Sequence, residues 1–287
     1  MEKNKASEVV HILTDALPYI QKFSGKIFVV KYGGAAMSET NLKYGFARDI
    51  ALMRQVGMKV IVIHGGGPQI DFELNKKGIE RKFDNGLRIT DKETINIVSD
   101  VLCNQVNKEI VDLIASNGAN AIGMTDQIKK ILKAKKLDNK EVDLGFVGEV
   151  EDIDKNCLLE LLENNYVPVI APLGFDKDNI LYNINADSAA SKIASLLPSE
   201  KFIILTNQQG VLDGNLKLIS ELSPSTIKEL KEDKIIKGGM LPKINACIDA
   251  ISNGVKRCHI IDGRVEHAVL LELFTKEGIG TLIQNEI

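Results

Sequence analysis

The chain of 287 residues contains no tryptophan, and only 5% of its residues are aromatic. It therefore has few side chains that could stack on the bases of a single-stranded nucleic acid. The formal net charge is −3 and no segment is strongly basic, so an electrostatic surface for nucleic acid is missing as well. Lysines between residues 129 and 136 alternate with apolar residues, which is typical of an exposed strand face. No nucleic acid partner is expected.

Cysteines are few and do not follow the CxxC spacing of zinc sites. Neither a zinc site nor a disulfide framework is predicted, and free thiols fit a reducing cytoplasm. No apolar run approaches the ~18 residues of a membrane span, and the first residues lack the apolar centre of a signal peptide. A cytoplasmic protein with no membrane partner is expected. The cysteines are Cys103, Cys157, Cys247 and Cys258.

Short β-branched runs alternate with longer helical patterns through most of the chain. The runs are apolar almost throughout, as in strands that are buried on both faces of a parallel sheet. This alternation predicts an α/β protein, a three-layer αβα sandwich around a central, mainly parallel sheet. Residues 129–150 carry strand patterns without a helix between them and predict a β-hairpin at the sheet edge. The six runs cover residues 27–30, 60–63, 119–123, 167–171, 202–205 and 258–261.

Helix ends are marked by short polar motifs. Residues 90–93, Thr-Asp-Lys-Glu, form a capping box that opens a helix ending near Ser116. Ser223 and Pro224 place a cap and a first-turn proline at the start of another helix. The chain is expected to divide into an N-terminal helix (1–24), a first lobe (25–197) and a second lobe (198–287).

The first two dozen residues predict an amphipathic helix at about residues 6–22. Pro18 lies inside the pattern and is expected to kink or restart the helix. Because the helix precedes the first core strand, its apolar stripe either projects and needs a partner surface or packs on its own domain. The stripe consists of Val9, Ile12, Leu13, Ala16, Leu17 and Ile20.

Two predicted strands end in glycine clusters, Lys31-Tyr32-Gly33-Gly34 and His64-Gly65-Gly66-Gly67-Pro68. Both loops are expected at the carboxyl ends of parallel strands, where open α/β sheets bind ligands. Glycine lets backbone N–H groups approach an anion, and the following helix N-terminus favours phosphate. Neither loop is a Walker A motif or a GxGxxG dinucleotide fingerprint. His64 is expected to support its loop rather than to act as an acid.

Further polar clusters complete a set of motifs. Residues 183–187 read NINAD and open a helix, and residues 237–243 read KGGMLPK at another helix start. Together with KYGG, HGGGP, GLRITD (residues 86–91), LTNQQGV and EGIGTLI, they resemble the amino acid kinase family. Within that family the set is similar to the N-acetylglutamate kinases, over about residues 25–287. The lysine–glycine loop alone is shared with aspartate, uridylate, carbamate and glutamate 5-kinases.

The resemblance implies an amino acid kinase fold and transfer of a phosphoryl group from ATP to the side-chain carboxylate of N-acetyl-L-glutamate, in arginine biosynthesis. It implies that Lys31 stabilises the transferring phosphoryl group, that Lys243 stabilises the leaving phosphates and that Asp187 orients both lysines. Such a transfer needs positive charge and alignment. A carboxylate acceptor is already ionised and needs no general base. The backbone N–H groups of Gly33, Gly34, Gly65 and Gly66 are expected on the phosphoryl oxygens.

The resemblance also implies a function for each lobe, with the acid and the phosphoryl site in residues 25–197 and the nucleotide and a regulatory C-terminal segment in residues 198–287. Arg88 and Asn183, with Gly65 and Gly66, are expected to bind the acylated amino acid, since a guanidinium can donate two parallel hydrogen bonds to a carboxylate. Mg²⁺ is expected to be held mainly by ATP oxygens, with no cluster of protein ligands. The nucleotide is expected at Thr206, Asn207, Gly238, Gly239 and Met240.

Two positions depart from the family pattern. Asn207 stands where the family usually has Asp, which puts the nucleotide affinity in question. Residues 123–128, Gly-Met-Thr-Asp-Gln-Ile, replace a Ser-Gly-x-Asp-Gly stretch.

Regulation is implied by the N-terminal helix. Family members that have such a helix resemble arginine-inhibited homohexamers, trimers of dimers in which these helices interlace. By the same resemblance, arginine as feedback inhibitor is expected to contact Tyr19, His267, Glu277 and Gly280.

The alternatives are a kinase of the same fold that acts on aspartate, glutamate or an aminoadipate-type acid, and a ligand sensor without turnover. An NAD-dependent dehydrogenase is opposed by the missing fingerprint.

Overall fold

The computed structural model describes residues 2–125 and 129–285. Fourteen strands form in the described part of the chain. They are β1 (Ile27–Tyr32), β2 (Lys59–His64), β3 (Phe83–Asp84), β4 (Leu87–Arg88), β5 (Ala121–Met124), β6 (Leu132–Lys136), β7 (Val147–Ile153), β8 (Val167–Ile170), β9 (Leu173–Phe175), β10 (Leu181–Ile184), β11 (Ser199–Thr206), β12 (Glu221–Leu222), β13 (Arg257–Asp262) and β14 (Thr281–Ile283).

Ten α-helices accompany these strands in the same described residues. A 3₁₀ turn covers Gly34–Met37, and a π-helical segment, Val101–Asn107, joins two of the helices. The helices are α1 (Glu2–Phe23), α2 (Thr40–Gln55), α3 (Gly67–Lys76), α4 (Lys92–Asp100), α5 (Lys108–Ser116), α6 (Lys155–Glu163), α7 (Ala186–Leu196), α8 (Pro224–Glu232), α9 (Met240–Ser252) and α10 (Ala268–Phe274).

The central sheet has eight strands in the order β12-β14-β13-β11-β1-β2-β8-β5. Neighbouring strands run parallel except β13 and β14, which are antiparallel. The sheet therefore confirms the predicted mainly parallel architecture, and each of the six predicted apolar runs overlaps one of its strands. The sheet continues from β1 to β11, across the lobe boundary expected after residue 197.

Two apolar cores lie on opposite faces of this sheet. Phe28 and Val30 of β1 point into the core that includes α2 and α5, whereas Val29 points into the core that includes α7 and α9. The strand is buried on both faces because successive side chains alternate between them. Helices on both faces of the sheet make the three layers that the alternation of elements predicted.

The predicted hairpin after residue 129 forms, but its location differs from the expectation. Strands β6 and β7 pair antiparallel and belong, with β9 and β10, to a separate four-stranded sheet that closes on itself. The hairpin is therefore not an edge of the central sheet. Long-range pairing of β7 with β10 decides this position, and local strand patterns carry no information about it.

The predicted helix between residues 92 and 116 is also present, with a different cap. Asp91 is the N-cap, and its side chain accepts a hydrogen bond from the Thr94 N–H. Thr90, the expected cap, is fully buried and donates its hydroxyl to the Arg88 carbonyl instead. The helix passes through the π-helical segment before it reaches Ser116.

Helix α1 runs through Pro18 without a break, so the expected restart does not occur. Its carboxyl end is attached to the body by buried Phe23 and by Tyr19, whose ring meets Phe274 edge-on at 6.3 Å. Farther toward the N-terminus, Ile12 and Leu13 are 67% and 64% exposed. The part of the apolar stripe formed by Ile12, Leu13 and Leu17 therefore projects from the body rather than packing on its own domain.

The four cysteines are buried, and none of them forms a disulfide within the described residues. One of them, Cys258, lies with its Sγ 3.6 Å from the carbonyl oxygen of Cys247. Across residues 2–125 and 129–285, none of the helices is long and apolar enough to span a membrane.

Candidate active site

The two glycine loops meet at one edge of the central sheet. Strand β1 lies between β2 and β11, with Lys31 opposite Ile63 and Ile204. The loops that follow β1 and β2 are adjacent, because a Cβ atom placed on Gly65 would lie 4.0 Å from the Gly33 Cα. The parallel register thus brings both loops to the carboxyl ends of the strands, where the sequence placed them.

Two lysines from distant parts of the chain share one carboxylate. Lys31 Nζ lies 3.1 Å from Asp187 Oδ1, and Lys243 Nζ lies 3.1 Å from Asp187 Oδ2. The Lys243 contact is a hydrogen bond, whereas the Lys31 contact is an ion pair without hydrogen-bond alignment. The three side chains are 7–18% exposed. The structure therefore brings together the predicted catalytic residues.

The charge of this cluster follows from its surroundings. Burial by itself raises the pKa of Asp187, but the ion pairs with Lys31 and Lys243 outweigh it and hold the pKa below its usual value. With the carboxylate ionised, two ammonium groups face one anion and leave a net positive charge. Such a cluster favours phosphate groups over neutral ligands.

A cavity of about 200 Å³ is lined by both lysines of the cluster. It brings together most of the predicted nucleotide residues, and Gly238 is not part of its lining. Asn207 packs against the first loop, since a Cβ on Gly34 would collide with the Asn207 Oδ1. The lining residues are Lys31, Gly34, Leu205, Thr206, Asn207, Gln208, Gly239, Met240 and Lys243.

A second cavity of about 170 Å³ includes Arg88 and Asn183 in its lining. Arg88 Nη2 lies 2.5 Å from Asp71 Oδ1, and its guanidinium carbon is 4.7 Å from the Phe83 ring centroid. Its other terminal nitrogen, Nη1, is buried and has no partner among the described residues. Asn183 Nδ2 donates to Thr90 Oγ1 at 3.2 Å. An unpaired buried guanidinium nitrogen is a ready donor for an acid.

The second glycine loop corrects one expectation. The Gly65 N–H donates to the Tyr32 carbonyl at 2.8 Å, so it is not free for a phosphoryl oxygen. All three glycines line the second cavity, where Gly66 is the N-cap of α3 and Gly67 is its first residue. A first-turn helical N–H has no partner within its helix. Gly66 and Gly67 therefore have N–H groups that can donate to a ligand, and Gly67 was missed in the sequence because the three glycines look alike there.

His64 supports this loop, as expected. It is fully buried, and its Nδ1 lies 2.7 Å from the Gly65 carbonyl oxygen. Burial lowers its pKa to about 4, so the imidazole is neutral near pH 7. Its Nε2 faces the Nδ2 of Asn107 at 3.1 Å. Asn107 was not predicted, since an asparagine inside a helical pattern carries no sign of a site.

The expected regulatory residues do not all meet. Tyr19, Glu277 and Gly280 line a cleft of about 450 Å³ between the end of α1 and the C-terminal segment. His267 is not part of that lining; it caps α10 in a left-handed conformation, and its Nδ1 lies 2.6 Å from Asp49 Oδ1.

The replaced stretch at residues 123–128 is described only to Thr125, and residues 126–128 lie outside the described residues.

Comparisons with known proteins identify the family to which this site belongs. A family model described as the amino acid kinase family matches residues 26–262. The chain belongs to the amino acid kinase family. Among similar proteins, the acetylglutamate kinase of Campylobacter hominis is 50% identical over 280 residues, 98% of each chain. That of Ruthia magnifica is 51% identical over 286 residues, 98% of this chain and 97% of its own. The resemblance to the N-acetylglutamate kinases is confirmed, and the chain is an enzyme of this family.

Solved structures of other proteins share its fold. The N-acetylglutamate synthase of Neisseria gonorrhoeae, complexed with coenzyme A and N-acetyl-glutamate, has a TM-score of 0.87 and 24% identity. The match covers 97% of this chain but only 64% of the synthase. Carbamate kinase from Giardia lamblia, bound to AMP-PNP, matches 92% of this chain and 100% of its own with a TM-score of 0.62 and 18% identity.

Proposed function

We propose that this enzyme transfers the γ-phosphoryl group of ATP to the side-chain carboxylate of N-acetyl-L-glutamate, which yields N-acetylglutamyl 5-phosphate and ADP. The observation that carries the proposal is the pair of lysines on one buried carboxylate, Asp187, beside two cavities. Relatives about 50% identical over nearly the whole chain bear the name acetylglutamate kinase. That name implies a step of arginine biosynthesis.

The chemistry explains why two lysines are needed. A carboxylate oxygen forms a bond to the γ-phosphorus while the bond from that phosphorus to the β–γ bridging oxygen breaks, and ADP leaves. Both reactants are anions, so the transition state needs positive charge near the transferring group and near the leaving phosphates. Lys31, on β1 beside the first loop, suits the first position, and Lys243, at the start of α9, suits the second. Asp187 holds both ammonium groups in place before the reaction.

The acid is proposed to bind in the cavity with Arg88. The unpaired Nη1 of Arg88 faces a carboxylate of the acid, and Asn183 offers a polar amide beside it. Gly66 and Gly67 add backbone donors for the phosphoryl oxygens, together with Gly33 and Gly34 of the first loop. Within the described residues, no three His, Cys, Asp or Glu side chains gather around a possible metal position. Magnesium is expected to bind mainly to the phosphate oxygens of ATP.

The reaction is tested by ADP release with a panel of acids. We expect turnover with N-acetyl-L-glutamate, and kcat/KM lower by about 10²-fold or more for L-glutamate, L-aspartate and L-aminoadipate, because polar groups built for one acid are left unpaired by another. The control is the same assay without any acid, which measures plain ATP hydrolysis. A preference for another acid would contradict the proposed substrate and indicate a kinase of the same fold that acts on that acid. Binding of the acid without ADP release would indicate a sensor.

A second role is favoured by the cleft at the C-terminal segment. We propose that arginine binds there as a feedback inhibitor of a homohexamer built as a trimer of dimers. Glu277 is an exposed acidic residue of the cleft and suits a guanidinium, and Tyr19 of α1 lines the opposite side. The N-acetylglutamate synthase that shares this fold has also been solved with coenzyme A and L-arginine. The exposed apolar residues of α1 support an assembly in which this helix finds a partner.

A further inference from the structure

The π-helical segment Val101–Asn107 lies directly beneath the second glycine loop. One contact is with Gly66, where an added Cβ would run into the Leu102 side chain. A second contact is between Asn107 and His64. π-helical turns are rare, and they occur frequently at functional sites. The segment therefore touches the loop at the two residues that precede and follow Gly65.

The hydrogen bonds of Asn107 determine the protonation of His64. Asn107 Nδ2 lies 2.9 Å from the Val169 carbonyl oxygen, which only accepts, so this atom is the amide nitrogen. Its second N–H is then directed at His64 Nε2, 3.1 Å away, which must accept. A neutral imidazole that accepts at Nε2 carries its proton on Nδ1. That proton is donated to the Gly65 carbonyl at 2.7 Å.

The Gly65 carbonyl and the Gly66 N–H belong to one peptide plane. In a trans peptide these two groups point in opposite directions. Once His64 holds the carbonyl, the Gly66 N–H is directed to the other side of the plane. The peptide before it is also held, since the Gly65 N–H bonds to the Tyr32 carbonyl. Gly66 lines the acid-binding cavity, so the direction of its N–H decides what this donor can reach.

We propose that Asn107 is a positioning residue of the phosphoryl site, which sets the direction of the Gly66 N–H by holding His64 in the tautomer that donates to Gly65. This inference rests on the proposed kinase function. Asn107 is not a lining residue of either cavity, and it acts through His64 and the loop backbone.

The surroundings of Asn107 are built around its amide. Asn107 is 2% exposed, and a Cβ placed on Gly123 of β5 would collide with its Oδ1. Burial and the Gly65 carbonyl set the pKa of His64, with no charged side chain among the described residues contributing. Burial keeps the ring neutral, and hydrogen bonds decide which nitrogen carries the proton; Asn107 provides the only partner of Nε2 in the described structure.

Asn107→Asp is the variant that separates this role from simple packing. A carboxylate has nearly the same size, but it only accepts, so it attracts a proton to His64 Nε2. At high pH the neutral ring then has an Nδ1 lone pair facing the Gly65 carbonyl, and the peptide is released. At low pH the ring is an imidazolium, whose Nδ1–H still donates. We expect kcat to fall about 10-fold to 10²-fold near pH 8 and to recover partly toward about pH 6.

The matched control is Asn104→Asp, which places the same charge on an exposed position of the same segment. We expect the control and the wild type to show no such recovery at low pH. ¹⁵N NMR of His64 in the wild type should show a proton on Nδ1 and none on Nε2. In Asn107→Asp at pH 8, the proton should be on Nε2.

Each result decides whether Asn107 positions the glycine loop or only packs in the core. An Nε2–H tautomer in the wild type would overturn the proposal, and this measurement needs no variant that folds. The proposal would also be overturned if the Asn107→Asp enzyme had the kcat of the wild type at pH 8. A wild type that is inactive on N-acetylglutamate but has His64 protonated on Nδ1 would refute the kinase function and leave the anchoring of Gly65 in place.

Discussion

Single residues of this enzyme owe their roles to partners that lie far away in the sequence. Lys31 and Lys243 meet only because Asp187 lies between them at 3.1 Å from each. Arg88 has one nitrogen engaged by Asp71 and another that is buried without a partner among the described residues. A buried polar group without a partner is costly, so its persistence is explained by a ligand that pairs with it.

Arg88→Lys tests this interpretation at the residue scale. The ammonium group of lysine can pair with Asp71, but it offers no second arm for the acid. We expect KM for N-acetylglutamate to rise about 10-fold to 10²-fold while KM for ATP changes little. Arg81→Lys is a matched control, because Arg81 contacts the other oxygen of Asp71 at 3.2 Å from an exposed position. Loss of ATP affinity alone would place Arg88 in the nucleotide half.

The motifs predicted which side chains the structure brings together, but they did not predict the directions of the donors. Lys31, Lys243 and Asp187 come together as the resemblance implied. Gly65 differs because a glycine motif does not reveal which N–H groups are consumed by strand pairing. Asn107 is invisible in the sequence for a related reason, since its function depends on an irregular helical turn and on the space left by Gly123.

Elements were predicted where local patterns decide them. The six apolar runs became strands of the central sheet, and the helix between residues 92 and 116 formed with a cap one residue later than expected. The hairpin β6–β7 was found in a different sheet because pairing with β9 and β10 is a long-range choice. Helix α1 stands apart from these elements, since it leaves Ile12 and Leu13 exposed.

Removal of residues 1–24 tests the role of α1. If this helix joins dimers, the shortened enzyme should be a dimer by light scattering, keep its kcat and lose inhibition by arginine. Ile12→Asp with Leu13→Asp should have the same effect, because charges on an apolar interface are costly to bury. His11→Asp adds a charge at an exposed neighbouring position and serves as a control. A full-length enzyme that is a dimer and ignores millimolar arginine would refute the regulatory proposal and leave the kinase function intact.

At the scale of the whole molecule, the fold places a two-sided site on one sheet edge. Parallel pairing of β1 with β2 and β11 brings the lysine loop, the second glycine loop and Thr206 to the same end of the sheet. One cavity is lined by Lys31 and Lys243 and the other by Arg88 and Asn183, so the proposed reaction has a separate cavity for each anionic reactant. Motif order along the chain predicted the fold, but the distances between the motifs required the structure.

Hydroxylamine trapping tests whether the γ-phosphoryl group of ATP is transferred to a carboxylate. Hydroxylamine converts an acyl phosphate into a stable hydroxamate. With N-acetylglutamate, ATP and Mg²⁺, we expect one hydroxamate for each ADP, and yields lower by about 10²-fold or more for Lys31→Ala and for Lys243→Ala, each of which removes one preorganised charge. ADP released without hydroxamate would contradict phosphoryl transfer to the carboxylate, and lysine variants as active as the wild type would contradict the proposed role of Lys31 and Lys243.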